Sequence, residues 1–246
     1  MSADQYDEIG AAYEGFKSLP MIRYSEVPSF LGMLDGVGGR SVLDLACGTG
    51  YYTRRIKALG AGRVTGVDIS PAMIQAARLL EEKRPFGVDY EVGDVAELAL
   101  PGDPFELATA AYLLNYAESP TAMKRMCVGI RRALVTGGEF LTLTQNPGYR
   151  FDGPGTRAYG FLHEYDGEAE SGPRVRITAL LDPPITINAH MPRRTVYEDA
   201  LRAAGFTDLT WEPVQVSDEG VRAHGEAYWQ DWRANPTLAL LRCRAA

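Results

Sequence analysis

The chain has 246 residues, 46% of them hydrophobic and 23% charged, an ordinary globular balance that can fill a substantial core. The formal net charge of −7 and the absence of a basic stripe argue against a phosphate backbone as partner, since Arg54–Arg55 and Arg193–Arg194 are only pairs. Three scattered cysteines (Cys47, Cys127 and Cys243) fit neither a zinc-ligand spacing nor a secreted disulfide framework, and no metal site is expected. No leader-like start and no membrane-length apolar run is visible, so the expectation is a cytoplasmic protein with no membrane or nucleic-acid partner.

In chain order, strands alternate with helices, the pattern of a parallel sheet covered on both faces. Ser41–Leu45 reads as a first strand followed by the glycine turn Ala46-Cys47-Gly48-Thr49-Gly50. A helix then carries Ile56 and Leu59 inward and stops at Gly60. Arg63–Asp68 is a second strand, and Ser70-Pro71 supplies an N-cap and a first-turn proline for the next helix. Val88–Val92 and Phe105–Ala111 are the third and fourth strands. Ser119-Pro120 repeats the cap signal, and Met123, Met126, Ile130 and Leu134 share one helical face. Gly137-Gly138 then turns into a fifth strand, Phe140–Thr144. Between Asn146 and about Gly172 lie many glycines and aromatics without a period, while Val175–Leu181 and Ile185–Asn188 flank Asp182-Pro183-Pro184 as a hairpin. Thr195 and Glu198 form a candidate capping box for a helix ending at Gly205, with late strands near Thr207–Val214 and Leu238–Cys243. The expected architecture is one α/β domain over residues 1–246. Its Rossmann-like, doubly wound, seven-stranded sheet is mostly parallel with an antiparallel strand near the carboxyl end, and a small cap is inserted at about 146–192.

Gly48 and Gly50 let a ligand approach the backbone, and the helix that follows offers free amides. A dinucleotide fingerprint needs a third glycine where this chain has Thr53, which argues against NAD. Asp44 precedes the turn, where it can balance a cationic amino-acid ligand; Asp68 ends the second strand, suited to ribose hydroxyls, and Asp94 follows the third. Together, Asp44-Leu45-Ala46-Cys47-Gly48-Thr49-Gly50, Val67-Asp68-Ile69-Ser70, Gly93-Asp94-Val95 and Ala110–Tyr116 resemble the motifs of class I S-adenosylmethionine-dependent methyltransferases. Ala46 stands where the family usually has its first glycine. The resemblance runs from about Tyr6 to Thr144, and more loosely over Ala204-Gly205-Phe206.

The resemblance implies S-adenosylmethionine as cofactor and S-adenosylhomocysteine as product. It implies a cofactor site made of Tyr13, Asp44, Ala46, Gly48, Gly50, Asp68, Ile69, Met73, Asp94, Val95 and Ala111. Within that set Asp68 would hold the ribose, Ile69 would pack on adenine, Asp94 would accept from its amino group, and the Val95 N–H would reach the ring. Tyr112, Asn115 and Tyr116, after the fourth strand, are the catalytic candidates nearest the sulfonium. Tyr6, Tyr149, Phe151, Tyr159, Phe161 and His163 are the substrate-binding candidates, an aromatic set suited to a flat ring, with several of them free to serve as the cap's own core. Methyl transfer needs alignment more than a dedicated base, and none of His163, His190 and His224 stands out as one.

A narrower set, Tyr24–Phe30, Arg150–Pro154 and Ala179–Pro184, resembles toxoflavin-type N-methyltransferases, which act on ring nitrogens of a fused pyrimidine–triazine. The implied function is methylation of a ring nitrogen of a small planar heterocycle in secondary metabolism, by a monomer or homodimer. The alternatives are O-methylation of a small aromatic or carboxylate, a non-methylating S-adenosylmethionine enzyme such as a cyclase, an NAD-dependent oxidoreductase, and a non-catalytic binding protein.

Overall fold

A computed structural model describes residues 12–98 and 102–246, with side chains from residue 15 onward. A 3-10 helix, Ala12–Ser18, leads into a π-helical turn, Ile22–Glu26, that continues as α1 (Val27–Gly32). Alternation follows: β1 (Val42–Leu45), α2 (Tyr51–Ala58), β2 (Val64–Asp68), α3 (Pro71–Lys83), β3 (Asp89–Val92), β4 (Phe105–Ala111), α4 (Pro120–Arg132) and β5 (Leu134–Gln145). Next come β6 (Phe161–Glu168), β7 (Pro173–Ala179), β8 (Ile185–His190), α5 (Arg194–Ala203), β9 (Phe206–Pro213) and β10 (Leu238–Ala245).

The main sheet has seven strands in the order β3-β2-β1-β4-β5-β10-β9. The first five run parallel, and β10 lies antiparallel to both β5 and β9. The order reverses between β1 and β4, so the carboxyl ends of β1 and β4 diverge there and leave a crevice. β1 is buried along its whole length, which is why it reads as an apolar run rather than an alternation. One core cluster gathers Phe30, Ile56 and Ile74 beneath α1 to α3; the other gathers Cys127, Ile130, Tyr197 and Leu201 beneath α4 and α5.

The Ser-Pro signals are helix starts: Ser70 Oγ accepts from the Met73 N–H at 3.2 Å, and Ser119 Oγ accepts from the Ala122 N–H at 3.2 Å. Four expectations are corrected. Leu59 is 48% exposed, because α2 ends one residue before it. Leu134 is not on the α4 face but opens β5, which therefore starts before the Gly137-Gly138 pair. The Thr195–Glu198 capping box does not form: Arg193 is the N-cap, and the Glu198 carboxylate accepts instead from Arg194, Arg202 and the Trp211 indole N–H. The region after Asn146 is more regular than it reads, since β6 joins the β7–β8 hairpin in a three-stranded antiparallel sheet. That sheet buries Phe161, Val175, Ile177 and Ala189 in the same core cluster as Phe30 and Ile56.

The amino-terminal turn is anchored by distant carboxyl-terminal residues. The Trp232 indole donates to Ser25 Oγ at 2.9 Å, the Ser217 N–H donates to the Tyr24 carbonyl at 2.7 Å, and Gly220 lies so close to Tyr24 that a Cβ would meet it at 2.6 Å. These contacts tie the Ile22–Glu26 turn to the carboxyl-terminal segment.

Candidate active site

At the crevice a cavity of about 180 Å³ opens between the ends of β1, β2, β3 and β4. Its wall includes Ala46, Gly48, Asp68, Ile69, Met73, Asp94, Val95 and Ala111, eight of the expected cofactor residues, together with Tyr112 and Tyr116. The local geometry is set by backbone that few residues adopt. Ala46 (φ 52°), Gly48 (φ 54°) and Gly50 (φ 78°) all sit in the left-handed region, so the position where Ala46 replaces a glycine does require the unusual conformation. Tyr112 shares it (φ 62°), with its N–H donating to the Leu143 carbonyl at 2.9 Å. Strained backbone at two points on one cavity wall marks a site that the surroundings hold in place.

The acids at the strand ends divide into two kinds. Asp68 Oδ2 accepts from the Gly48 N–H at 2.8 Å and its Oδ1 from the Ser70 N–H at 2.9 Å, so the carboxylate ties the glycine turn to the second strand end. Asp94 is exposed, and its Oδ1 accepts from the Ala96 N–H at 2.9 Å. Asp44 behaves differently. It is 1% exposed and lies off the cavity wall, accepting from Thr53 Oγ1 at 2.6 Å and from Thr109 Oγ1 at 2.9 Å. Burial pushes its carboxyl up to about 6 in spite of those two bonds. Thr53, the residue that breaks the dinucleotide fingerprint, is thus the partner of this carboxyl.

Gly50 also stands off the wall. Its contribution is steric, since a Cβ there would fall 2.2 Å from Tyr90 Oη. Tyr6 and the side chain of Tyr13 lie outside the described residues.

A smaller cavity of about 50 Å³ adjoins the first, and Lys17, Tyr112 and Tyr116 line both. Of the residues expected to bind substrate, Phe161 and His163 are on its wall, and so is Asn115. His163 Nδ1 pairs with Thr156 Oγ1 at 3.0 Å, and burial drives its imidazole down to about 3, so the ring is neutral at ordinary pH. Asn115 and Gln145, on the same wall, are 1% and 3% exposed, and their amide oxygens have no hydrogen-bond partner among the described residues. Buried amide oxygens left in that state are costly unless a ligand or water meets them.

The other aromatic candidates are placed elsewhere. Tyr159 is core: its ring stacks on Trp229 at 5.3 Å, and its hydroxyl donates to the Tyr228 carbonyl and accepts from the Trp232 N–H. Tyr149 and Phe151 line neither cavity; they pack edge to face with each other and against His163 and Tyr165, over β6. His190 and His224 line neither cavity either.

Two residues to which the motifs assign no role complete the junction. Glu26 is 1% exposed and lines the smaller cavity, accepting from Tyr52 Oη at 2.6 Å and also from the Tyr112 hydroxyl. Burial raises its carboxyl above the usual range, opposed by the charge of Lys17 and the two tyrosine bonds. Lys17 Nζ rests 4.0 Å above the Tyr51 ring. Tyr51 and Tyr52 directly follow Gly50, and that position at the start of α2 is the sequence signal that could have found them.

Comparison with known proteins agrees with this geometry. Residues 42–138 match the family model described as a methyltransferase domain, a span running from the first residue of β1 into β5. The Mesorhizobium loti S-adenosylmethionine dependent methyltransferase superposes over 93% of this chain and 99% of its own, with TM-score 0.65 and 25% identity. Residues 42–138 are thus similar to a methyltransferase domain. The CcbJ methyltransferase from Streptomyces caelestis shares the fold over 100% of both chains at TM-score 0.69 and 20% identity. A ubiquinone biosynthesis O-methyltransferase of Xanthomonas euvesicatoria is 35% identical over 112 residues, and the match spans 45% of each chain. This chain therefore spans less than half the length of that curated relative. No helix among the described residues is long and apolar enough to cross a membrane.

Proposed function

We propose that the chain is an S-adenosylmethionine-dependent methyltransferase that transfers a methyl group to a ring nitrogen of a small planar heterocycle. The observation behind this reading is the pair of adjoining cavities sharing Lys17, Tyr112 and Tyr116. The larger one suits the cofactor: the glycine turn offers backbone at the methionine end, Asp68 the ribose end, and Ile69, Asp94 and Val95 the adenine end. When bound, the cofactor supplies a methyl already activated as a sulfonium electrophile.

What the protein must then do is align an acceptor and keep water away, which can lower a barrier by roughly 7–11 kcal/mol. The smaller cavity suits the acceptor. Phe16, Phe161, Ile177 and Ile187 give it apolar walls for a flat ring, and Asn115, Gln145 and neutral His163 give it polar edges. Residues 146–192, with the three-stranded sheet, act in this reading as a substrate cap on a single domain. The working unit would be a monomer or homodimer in the cytoplasm, acting in secondary metabolism.

A second reading, O-methylation of a small aromatic or carboxylate, is favoured by the name of the Xanthomonas relative. It requires a proton acceptor for a hydroxyl nucleophile. Incubation with S-adenosylmethionine bearing a labelled methyl, and with panels of planar N-heterocycles and of phenols and benzoates, separates the two by mass spectrometry. Label on a ring nitrogen supports the first reading, label on oxygen the second, and release of S-adenosylhomocysteine with neither panel labelled contradicts both.

A further inference from the structure

The carboxyl of Glu26 has no place in the motif-based assignment. It closes the π-helical turn at the wall between the two cavities: Tyr52, one of its donors, lines the larger cavity, and Tyr112, the other, lines both. Lys17, Tyr52 and Tyr112 act on it directly. The other non-acidic titratable groups on the two cavity walls are Cys47 in the glycine turn, Tyr51 at the start of α2, Tyr116 after β4 and His163 on β6. Among the described residues, the other acids on the two walls are Asp68 and Asp94, at the ends of β2 and β3, where the nucleoside would lie. Asp44 is turned away into its pair of threonines. Glu26 is thus the acid at the passage between cofactor and acceptor.

The cofactor and its demethylated product share their adenine, ribose and amino-acid groups, and differ by one methyl and one positive charge at sulfur. A site made only of nucleoside and amino-acid contacts holds the two about equally. A buried carboxylate at the junction does not, because attraction between opposite charges in a poorly solvated wall is strong and a neutral thioether offers nothing in return.

Resting on the methyltransferase reading above, we propose that Glu26 is a specificity-determining residue, the countercharge through which the site prefers S-adenosylmethionine to S-adenosylhomocysteine. The burial that makes the Glu26 carboxyl reluctant to ionise is then offset when a cation occupies the larger cavity. Lys17 lessens the excess of negative charge when no cation is there. The same device favours exchange of spent product for fresh cofactor.

The test is calorimetric titration of the full chain with S-adenosylmethionine and, separately, with S-adenosylhomocysteine, for the wild type and for Glu26→Gln. The wild type should bind the methylated form more tightly. Glu26→Gln should weaken S-adenosylmethionine on the order of tenfold and leave S-adenosylhomocysteine within about twofold. If the variant does not fold, the wild type carries the test. As pH rises, affinity for S-adenosylmethionine should rise relative to S-adenosylhomocysteine as Glu26 ionises, because the amino and carboxyl groups common to both ligands cancel. Equal weakening of both ligands by Glu26→Gln, or parallel pH dependence of the two in the wild type, overturns the assignment. Failure of the folded wild type to bind either ligand removes the methyltransferase reading itself, a result that cannot be confused with loss of preference.

Discussion

The hydroxyl of Tyr112 donates to the carboxylate of Glu26, two residues that lie 86 positions apart. One sits in left-handed backbone at the end of β4 and the other in a π-helical turn near the amino terminus, so both ends of this bond are held in uncommon geometry. The bond lies at the boundary between the two cavities. A boundary lined by a buried carboxyl rather than by hydrocarbon is polar before any ligand arrives.

Asp44 has a consequence for stability. Its folded carboxyl is raised from 3.8 to about 6, so the folded chain holds a proton that the unfolded chain has already released. The sign follows directly: any stability from this group is present below about pH 4 and is lost as pH rises through about 6. Asp44→Asn should therefore be neutral or harmful near pH 4. Above about pH 7 it should be more stable than the wild type, by up to about 3 kcal/mol. Denaturant unfolding at the two pH values checks this, and equal effects at both would show that Asp44 is not protonated on folding.

Gly129, in the last turn of α4, lets that helix touch the segment that follows β3. A Cβ at this position would fall 1.8 Å from the Val95 carbonyl oxygen, a backbone atom that cannot swing aside as a side-chain end would. Because Val95 lines the larger cavity, Gly129→Ala should lower stability by about 1–3 kcal/mol and also weaken S-adenosylmethionine. Thermal unfolding and calorimetry read the two effects, and a loss of stability with unchanged affinity would separate the helix contact from the site.

Asp68 holds two backbone N–H groups as well as the position expected for the ribose. Asp68→Ala should weaken S-adenosylmethionine and S-adenosylhomocysteine alike, by roughly 1–3 kcal/mol, since both ligands carry the same ribose. This is the opposite signature to Glu26→Gln, and the two variants measured side by side distinguish a ribose anchor from a charge selector. Unchanged affinity for both ligands would remove the ribose assignment.

His163 is driven down to about 3 by burial, so it stays neutral across the working range. Its imidazole proton shifts in NMR should not move between about pH 5 and about pH 8. A transition near the usual value of 6.5 would mean that the smaller cavity is open to bulk water.

β1, β2, β4, β5 and the glycine turn are legible in the sequence from largely apolar segments bounded by a turn or by a Ser-Pro cap, and β3 from the alternation in Asp89-Tyr90-Glu91-Val92, signals that need no tertiary partner. Eight of the residues expected to bind cofactor fall on one cavity wall, seven of them within the cofactor motifs. What escapes has a common cause. β6 carries Glu164, Tyr165 and Asp166 on exposed positions, so its strand period is hidden behind polar residues. Glu198 reads as a local cap, whereas its partners include Trp211, thirteen residues on. Tyr159 and Phe161 look alike in sequence, yet one stacks within the core on Trp229 and the other lines a cavity. Glu26 lies in the Tyr24–Phe30 stretch of the narrower resemblance but carries no role there, and its meaning comes from Tyr52 and Tyr112, which only the folded chain brings to it.

The most direct measurement is calorimetric titration of the wild type with S-adenosylmethionine and, separately, with NAD. Saturable binding of S-adenosylmethionine on the order of micromolar, with none for NAD, is the expected result for a cavity built on Gly48, Asp68 and Asp94 without a third fingerprint glycine. Binding of NAD alone would contradict the account and identify Thr53 as no barrier to a dinucleotide.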